Sequence, residues 1–255
     1  MSIEPIPIAI NGLGRIGRAL LRIAQGREDL RVVAANDSAS PHELARLIRH
    51  DTIHGQYPGR VTALDRGLAL DGRVVPLYRS NDPTEIPWHE SGARLVVEAT
   101  GRFRARELAA GHLRGGVERV VISATAAAAD ATFCFGINQH GFDAERHRVV
   151  SNASCTTNCL AVMLAVLHRC FGVEHALMNT VHCVTNSQNL VDMAHVDPRR
   201  ARAAIANIIP TTSDAIPSIG LVIPELQGRV EGLATRVPIV AGSILFDLLN
   251  GGDKG

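Results

Sequence analysis

The sequence predicts an α/β chain of two domains, the first doubly wound around a parallel sheet, and three observations carry that prediction. IPIAIN (Ile6–Asn11) is a short apolar run, GLGRIG (Gly12–Gly17) is a glycine-rich turn, and RALLRIAQ after it has helical spacing. A second apolar run, LRVVAAND, ends in Asp37, 20 residues beyond Gly17. Two later runs, ARLVVEATG (Ala93–Gly101) and VERVVISA (Val117–Ala124), read as buried strands, the first closing on a glycine turn.

Taken in order, the opening reads strand, glycine turn, helix, strand, acid. GxGxxG alone is a weak signal, but here the strand before it, the helix after it and Asp37 at its distance make a dinucleotide-binding βαβ unit. Glycines let the backbone approach a pyrophosphate at the positive end of a helix, and Asp37 can accept hydrogen bonds from both ribose hydroxyls. NAD is therefore the expected cofactor. The 2′-phosphate of NADP would meet the charge of Asp37, which disfavours NADP without excluding it. PHELARLIRHD continues as a helix, and RVTAL, LALDG and RVVPLYRS are short runs broken by glycine or aspartate, which suggests a small hairpin insertion. ATAAAADATFC is alanine-rich but too short to be low-complexity. HRVVSNAS then leads into the segment SNASCTTNC (Ser151–Cys159), so the domain boundary is expected near residue 151, with domains of 1–151 and 152–255.

Composition excludes several classes of function. The 255 residues are 46% hydrophobic with a formal net charge of +1, which gives no footprint for a nucleic acid or a membrane surface. No apolar run approaches the ~20 residues of a membrane span. MSIEPIPIAING lacks the charged start and long apolar core of a signal peptide, so a cytoplasmic protein is expected. Five cysteines without a framework spacing argue against disulfides. The sole lysine, Lys254, stands against 25 arginines, a skew read here as genomic bias.

Cys155 and Cys159, four residues apart, could hold half of a metal site, but no second pair completes it and no metal is expected. Cys159 opens the apolar run CLAVMLAVLHRCF, which reads as a buried helix ending near Cys170, and both cysteines are expected in the core. Cys155 differs, because the helix start after it supplies backbone N–H groups and the positive end of a dipole, conditions that lower a thiol pKa. TVHCVTNSQ (Thr180–Gln188) places His182 in a β-branched run, and a histidine there can serve as base to a helix-end thiol.

INGLGRIGR, SNASCTTNC, TVHCVTNSQ, RRARAAIANIIPT and LATRVP, in this order and spacing, resemble the phosphorylating glyceraldehyde-3-phosphate dehydrogenase family, which includes erythrose-4-phosphate dehydrogenases. The resemblance runs from Ile6 to about Asp247. It implies a Rossmann-type domain followed by an α+β catalytic domain with a mostly antiparallel sheet. It also implies NAD-dependent oxidation of a sugar-phosphate aldehyde to an acyl phosphate through a cysteine thioester that inorganic phosphate cleaves. By position, Cys155 becomes the nucleophile and His182 the base. Gly12, Gly14, Arg15, Ile16, Gly17 and Asp37 fall on cofactor positions, with Thr100 and Ser123 on later strand ends bordering the same cleft. Ser154, Thr156, Thr185 and Arg236 fall on the two anion sites. The family assembles as tetramers of identical chains, with the loop from about Cys183 to Asn207 near a neighbour's cofactor.

Three departures from the family pattern, and one ambiguous cofactor feature, stand out. TSDAIP (Thr212–Pro217) puts Asp214 where a glycine helps form an anion site, and Ser187 stands where an aspartate is usual. Family members also run on beyond GSILFDLLNGGDKG, through a segment whose asparagine holds the nicotinamide amide; this chain begins that region like a strand and then turns glycine-rich. Met193-Ala194 before HVD matches neither the NAD-strict nor the dual-cofactor pattern. These features leave two alternatives open: an NAD-binding or partner-binding paralogue with impaired catalysis, and an erythrose-4-phosphate dehydrogenase-like activity.

Overall fold

A computed structural model describes residues 4–126 and 128–252; Lys254 and the last glycine of the tail lie outside the described residues. The chain divides into two compact units, one of Met1–Thr132 with Phe142–Asn152, the other of Phe133–Gly141 with Ala153–Gly255. The short stretch Phe133–Gly141 thus packs with the second unit although it precedes the end of the first in sequence.

In the first unit, β1 (Ile6–Asn11), α1 (Arg15–Ala24), β2 (Leu30–Asn36) and α2 (Pro41–Arg49) follow the expected order. Two-residue strands β3 (His50–Asp51) and β4 (Gly55–Gln56) form a small ladder, and β5 (Val61–Leu64), β6 (Gly67–Leu70) and β7 (Arg73–Tyr78) follow. Next come β8 (Leu95–Glu98), α3 (Arg106–Ala109), β9 (Arg119–Ile122), β10 (Ala131–Thr132) and β11 (Val149–Ser151). The nine-stranded sheet runs β10-β11-β9-β8-β1-β2-β7-β6-β5. Strands β2, β1, β8, β9 and β11 are mutually parallel, so this is a Rossmann-type sheet. Strands β5 to β7 pair antiparallel where a small hairpin insertion is expected, but they are not a separate insertion: β7 docks parallel on β2 and extends the main sheet.

Local chemistry sets these elements. Ser40 and Glu43 form a reciprocal capping box that starts α2, with Pro41 at the first helical position where no N–H is needed. The parallel strands are buried on both faces, with Ile8, Ile10, Leu21, Leu44, Ile48 and Leu68 in one core, which is why they read as continuous apolar runs. The strand order reverses between β1 and β8, and at such a switch point the loops after neighbouring strands diverge to leave a crevice at the carboxyl ends.

The second unit contains α4 (Cys155–Phe171), β12 (Val173–His182), β13 (Ile209–Thr211), α5 (Ala215–Val222), β14 (Val230–Arg236) and β15 (Ser243–Gly251). Its sheet, β13-β14-β12-β15, is mixed: β12 and β14 are parallel and the two outer pairings are antiparallel. Gly172, at φ 66°, closes α4 in the left-handed conformation with its N–H on His168 O. Leu160, Ala161 and Leu164 of α4 pack with Met178, Ile219 and Val230.

Only one stripe of α4 is buried, and this corrects the expectation for the run from Cys159 to Phe171. Cys159 and Cys170 are exposed, as are Val162, Val166 and Phe171, because a helix lying on one face of a sheet hides only the side chains pointing down. On the sheet, Leu177 of β12 and Ile244, Phe246 and Leu248 of β15 are also exposed. The cross-strand register sets Leu177 opposite Leu248 and alternates Ile244, Phe246 and Leu248 on one face. Asp247, between them, points the other way; among the described residues its carboxyl oxygens have no hydrogen-bond partner, and burial pushes its pKa up to about 6.

Candidate functional site

The glycine turn of the first unit has the shape that a pyrophosphate requires. Gly12 lies at φ 93° and a Cβ there would stand 2.8 Å from Thr100 Cγ2, so the turn and the β8 loop are in close apposition. At Gly17 a Cβ would meet Gly12 O at 1.9 Å, which only glycine avoids. Gly14 is the reverse case: among the described residues a Cβ there would have nothing within 4 Å and would stand in open space. Gly14 also precedes α1 without any side-chain cap, and no acidic residue sits in the first turn. The first-turn N–H groups at Arg15, Ile16 and Gly17 therefore keep their donors for an anion.

Asp37 follows β2 at the same carboxyl edge. Its Oδ2 accepts from Leu13 N at 2.7 Å and its Oδ1 from Ala39 N at 2.9 Å. Each oxygen retains a lone pair for one further donor, which suits a pair of vicinal hydroxyls. Thr100 follows β8 and Ser123 follows β9, and the register sets Asn11, Glu98 and Ile122 side by side, so both residues lie on the edge that carries the glycine turn. The residues present fit a dinucleotide.

In the second unit, Cys155 is the first residue of α4. Ala153 before it holds φ 57°, a left-handed conformation unusual for a residue with a Cβ, and this turn presents Cys155 at the helix end. Ser154 caps the helix, accepting from Thr157 N at 3.0 Å, with its hydroxyl also 2.6 Å from Thr157 Oγ1. Cys155 is exposed and its Sγ lies 3.3 Å from His182 Nε2. His182, at the end of β12, is buried, and its Nδ1 is 2.8 Å from Cys183 O. With its proton on Nδ1, toward that carbonyl, the imidazole offers the Nε2 lone pair to the thiol. The hydrogen bond to His182 lowers the Cys155 pKa most; the charge of His182 and the hydroxyl and N–H of Thr156 add to it, against burial, which raises it.

Arg236 ends β14 opposite His182 in register. Its Nη1 donates to Cys183 O at 3.1 Å and lies 3.0 Å from His182 Nδ1. The same nitrogen reaches Thr185 Oγ1 at 3.5 Å, and Thr185 Oγ1 lies 2.9 Å from Ser187 Oγ. Among the described residues, Arg236 Nε is buried without a partner. Burial first, and then the positive charge of Arg200, pull its pKa down, whereas Cys155, Cys183 and, least of the three, Asp214 pull it up. Cys155, His182, Thr185 and Arg236 are thus brought together, Thr156 supports the thiol, and Ser154 serves the helix end. The place of Arg200 in RRARAA, among surface-like arginines, gives no sign in the sequence that its charge acts on Arg236. Among the described residues no group of three His, Cys, Asp or Glu side chains is gathered as for a metal ion, and no helix is long and apolar enough to cross a membrane.

A parallel-sheet unit with a dinucleotide turn, joined in one chain to a unit that sets a cysteine at a helix start against a histidine, defines a class of two-domain NAD-binding proteins. Comparison with known proteins narrows it. Residues 6–106 match the family described as glyceraldehyde 3-phosphate dehydrogenase, NAD binding domain, and residues 154–250 its C-terminal domain. The chain is 48% identical over 234 residues to glyceraldehyde-3-phosphate dehydrogenase 2 of Bacillus subtilis (strain 168), covering 92% of this chain and 69% of that protein. It is 48% identical over 239 residues to the glyceraldehyde-3-phosphate dehydrogenase of Kitasatospora aureofaciens, covering 93% and 72%. With that of Geobacillus stearothermophilus it shares 46% over 233 residues, covering 91% and 70%. The chain belongs to the glyceraldehyde-3-phosphate dehydrogenase family, and spans about 70% of the length of these relatives.

Proposed function

We propose that this chain oxidises a sugar-phosphate aldehyde, glyceraldehyde 3-phosphate, to an acyl phosphate with Cys155 as nucleophile and His182 as base. The observation that carries the reading is the 3.3 Å approach of Cys155 Sγ to His182 Nε2. His182 takes the thiol proton, and Sγ attacks the aldehyde carbon to give a thiohemiacetal. NAD, when bound at Gly12 to Gly17 and Asp37, supplies the hydride acceptor whose use leaves a thioester on Cys155. Arg236 and Thr185 hold anionic oxygens of substrate or of the inorganic phosphate that cleaves the thioester, a role suited to a guanidinium that can donate two parallel hydrogen bonds. In this reading 1–151 is the NAD-binding domain and 152–255 the catalytic domain.

A second reading, a paralogue with impaired phosphorolysis, draws on Asp214. This residue stands at the N-cap position of α5, and its negative charge is felt at Arg236. A carboxylate beside a bound phosphate is repulsive by roughly 1 to 4 kcal/mol at ~4 Å, depending on the effective dielectric. A steady-state assay with glyceraldehyde 3-phosphate and NAD, with and without phosphate, tests both readings. The first expects NADH production that rises with phosphate; the second expects weak production indifferent to phosphate, with stimulation recovered by Asp214→Gly. No NADH under either condition overturns the dehydrogenase reading. A cytoplasmic, homo-oligomeric protein, tetrameric by the resemblance, goes with the first reading, and the exposed apolar row on β12 and β15 supports self-association. Light scattering after size exclusion checks that state.

A further inference from the structure

Behind the dinucleotide turn runs a line of polar side chains that neither the motif nor the thiol pair accounts for. Asn36, Asn11 and Glu98 are the last residues of the neighbouring strands β2, β1 and β8, and the parallel register places them side by side. All three are buried. Ser80 N donates to Asn36 Oδ1 at 2.9 Å, Asn36 Nδ2 donates to Asn11 Oδ1 at 2.8 Å, and Asn11 Nδ2 donates to Glu98 Oε2 at 2.5 Å. While Asn36 Nδ2 also donates back to Ser80 O at 2.9 Å, these three bonds point the same way, toward a group that only accepts. Glu98 is that group.

Three further donors converge on the same carboxylate. Thr100 donates to Oε1 through its N–H at 2.8 Å and through its hydroxyl, and His112 Nε2 lies 3.1 Å from Oε2. Trp88 Nε1, a donor only, reaches His112 Nδ1 at 3.1 Å. Nδ1 must therefore accept, the proton sits on Nε2, and His112 donates to Glu98. Trp88, His112 and Glu98 are almost completely buried, at 1%, 0% and 1% exposure. The carboxylate has four donors for its four lone-pair directions, and within such a buried chain each bond polarises the next.

We propose that Glu98 is the positioning residue of the cofactor edge: it ties the ends of β1 and β8, and through Asn11 the end of β2, so that Gly12, Asp37 and Thr100 hold one fixed spacing. The inference rests on the NAD reading above and adds residues that touch no cofactor. Each tied residue is next to one that faces the crevice: Asn11 precedes Gly12, Asn36 precedes Asp37, and Glu98 holds Thr100 itself. His112, with its tautomer pinned by Trp88, supplies the donor that fills the last acceptor position on Glu98.

Glu98→Gln keeps the shape but replaces one acceptor oxygen with an amide that donates, leaving two of the four donors facing a donor. Trp88→Phe is the milder variant, since it keeps the carboxylate and all strand contacts but frees Nδ1 of His112. Calorimetry with NAD, on proteins whose circular dichroism matches the unmutated chain, is expected to show an affinity roughly tenfold weaker for Glu98→Gln and a smaller loss for Trp88→Phe. Nitrogen chemical shifts of His112 should report the Nε2–H tautomer in the unmutated protein and a mixture in Trp88→Phe. A purely structural role would lower the melting temperature of both variants while leaving NAD affinity and tautomer unchanged, and that result overturns the proposal alone. An Nδ1–H tautomer in the unmutated protein also overturns it. If the unmutated chain binds no NAD, the cofactor reading itself falls, and the positioning role with it.

Discussion

The two helix starts that face function are built in opposite ways. α1 begins behind Gly14, with no side-chain cap and open space before it, so its first N–H groups are left for a ligand. α4 begins behind Ser154, whose hydroxyl already serves Thr157, and the positive end of that helix falls on the protein's own thiol. One physical device, the unsatisfied amino end of a helix, thus has two uses. An external anion must be admitted, so the chain withholds side chains; an internal thiolate must be held still, so the chain supplies a cap and a strained turn.

Substitutions at the two starts can break or sharpen that contrast. The largest effect is expected for Gly17→Ala, where a methyl would sit 1.9 Å from Gly12 O and the backbone must move. A loss of about 3 kcal/mol is expected, read from urea unfolding of the first unit. An unchanged midpoint would mean that the turn is plastic rather than locked. His182→Ala comes next. The hydrogen bond to His182 is the main cause that lowers the Cys155 pKa, so removing it raises that pKa and shrinks the thiolate fraction at neutral pH. Iodoacetamide modification of Cys155 at pH 7 should slow roughly tenfold, with the inflection of its pH profile moving upward. Equal rates with and without the imidazole would show that the helix end alone activates the sulfur.

Gly14→Ala should leave stability unchanged, because the new methyl meets no atom within 4 Å, yet weaken NAD binding by roughly tenfold by filling the approach to the backbone. Calorimetry beside a thermal melt separates the two; a fall in melting temperature without a change in affinity contradicts the open-start picture. The smallest effect is expected at the capped start, where Ser154→Ala removes one hydroxyl acceptor. About 1 kcal/mol of stability should be lost, with Cys155 still the first cysteine alkylated by mass-spectrometric mapping. Preferential labelling of Cys159, which is also exposed, would place the reactive sulfur one turn further along the helix.

What could be read from the sequence was local. Strand, glycine turn, helix and Asp37 lie within one βαβ stretch, and their spacing carries their meaning without knowledge of the rest of the sheet. The Cys155 helix start could be read in the same way. Pairing it with His182 needed the strand character of Thr180–Gln188 and a chemical demand for a base. Features set by register stayed hidden: Asn36, Asn11 and Glu98 meet only because three strands end at one level, with Asn11 and Glu98 87 positions apart. As isolated letters they are ordinary strand-end polar residues. Cys159 and Cys170 read as core residues and are exposed, because apolar composition does not say which stripe of a helix meets the sheet. The addition of β7 to β2 likewise depends on an edge pairing that a hairpin pattern does not contain.

Trp88, described above as the group that sets the His112 tautomer, is also the chain's single tryptophan, and it belongs to the first unit. The protein therefore carries a built-in optical label for one of its two units. Selectively excited indole emission follows the melting of the Rossmann-type unit alone, whereas far-ultraviolet dichroism follows helices and strands of both. Superimposed denaturation curves would describe one cooperative block, and separated curves would give each unit a midpoint of its own.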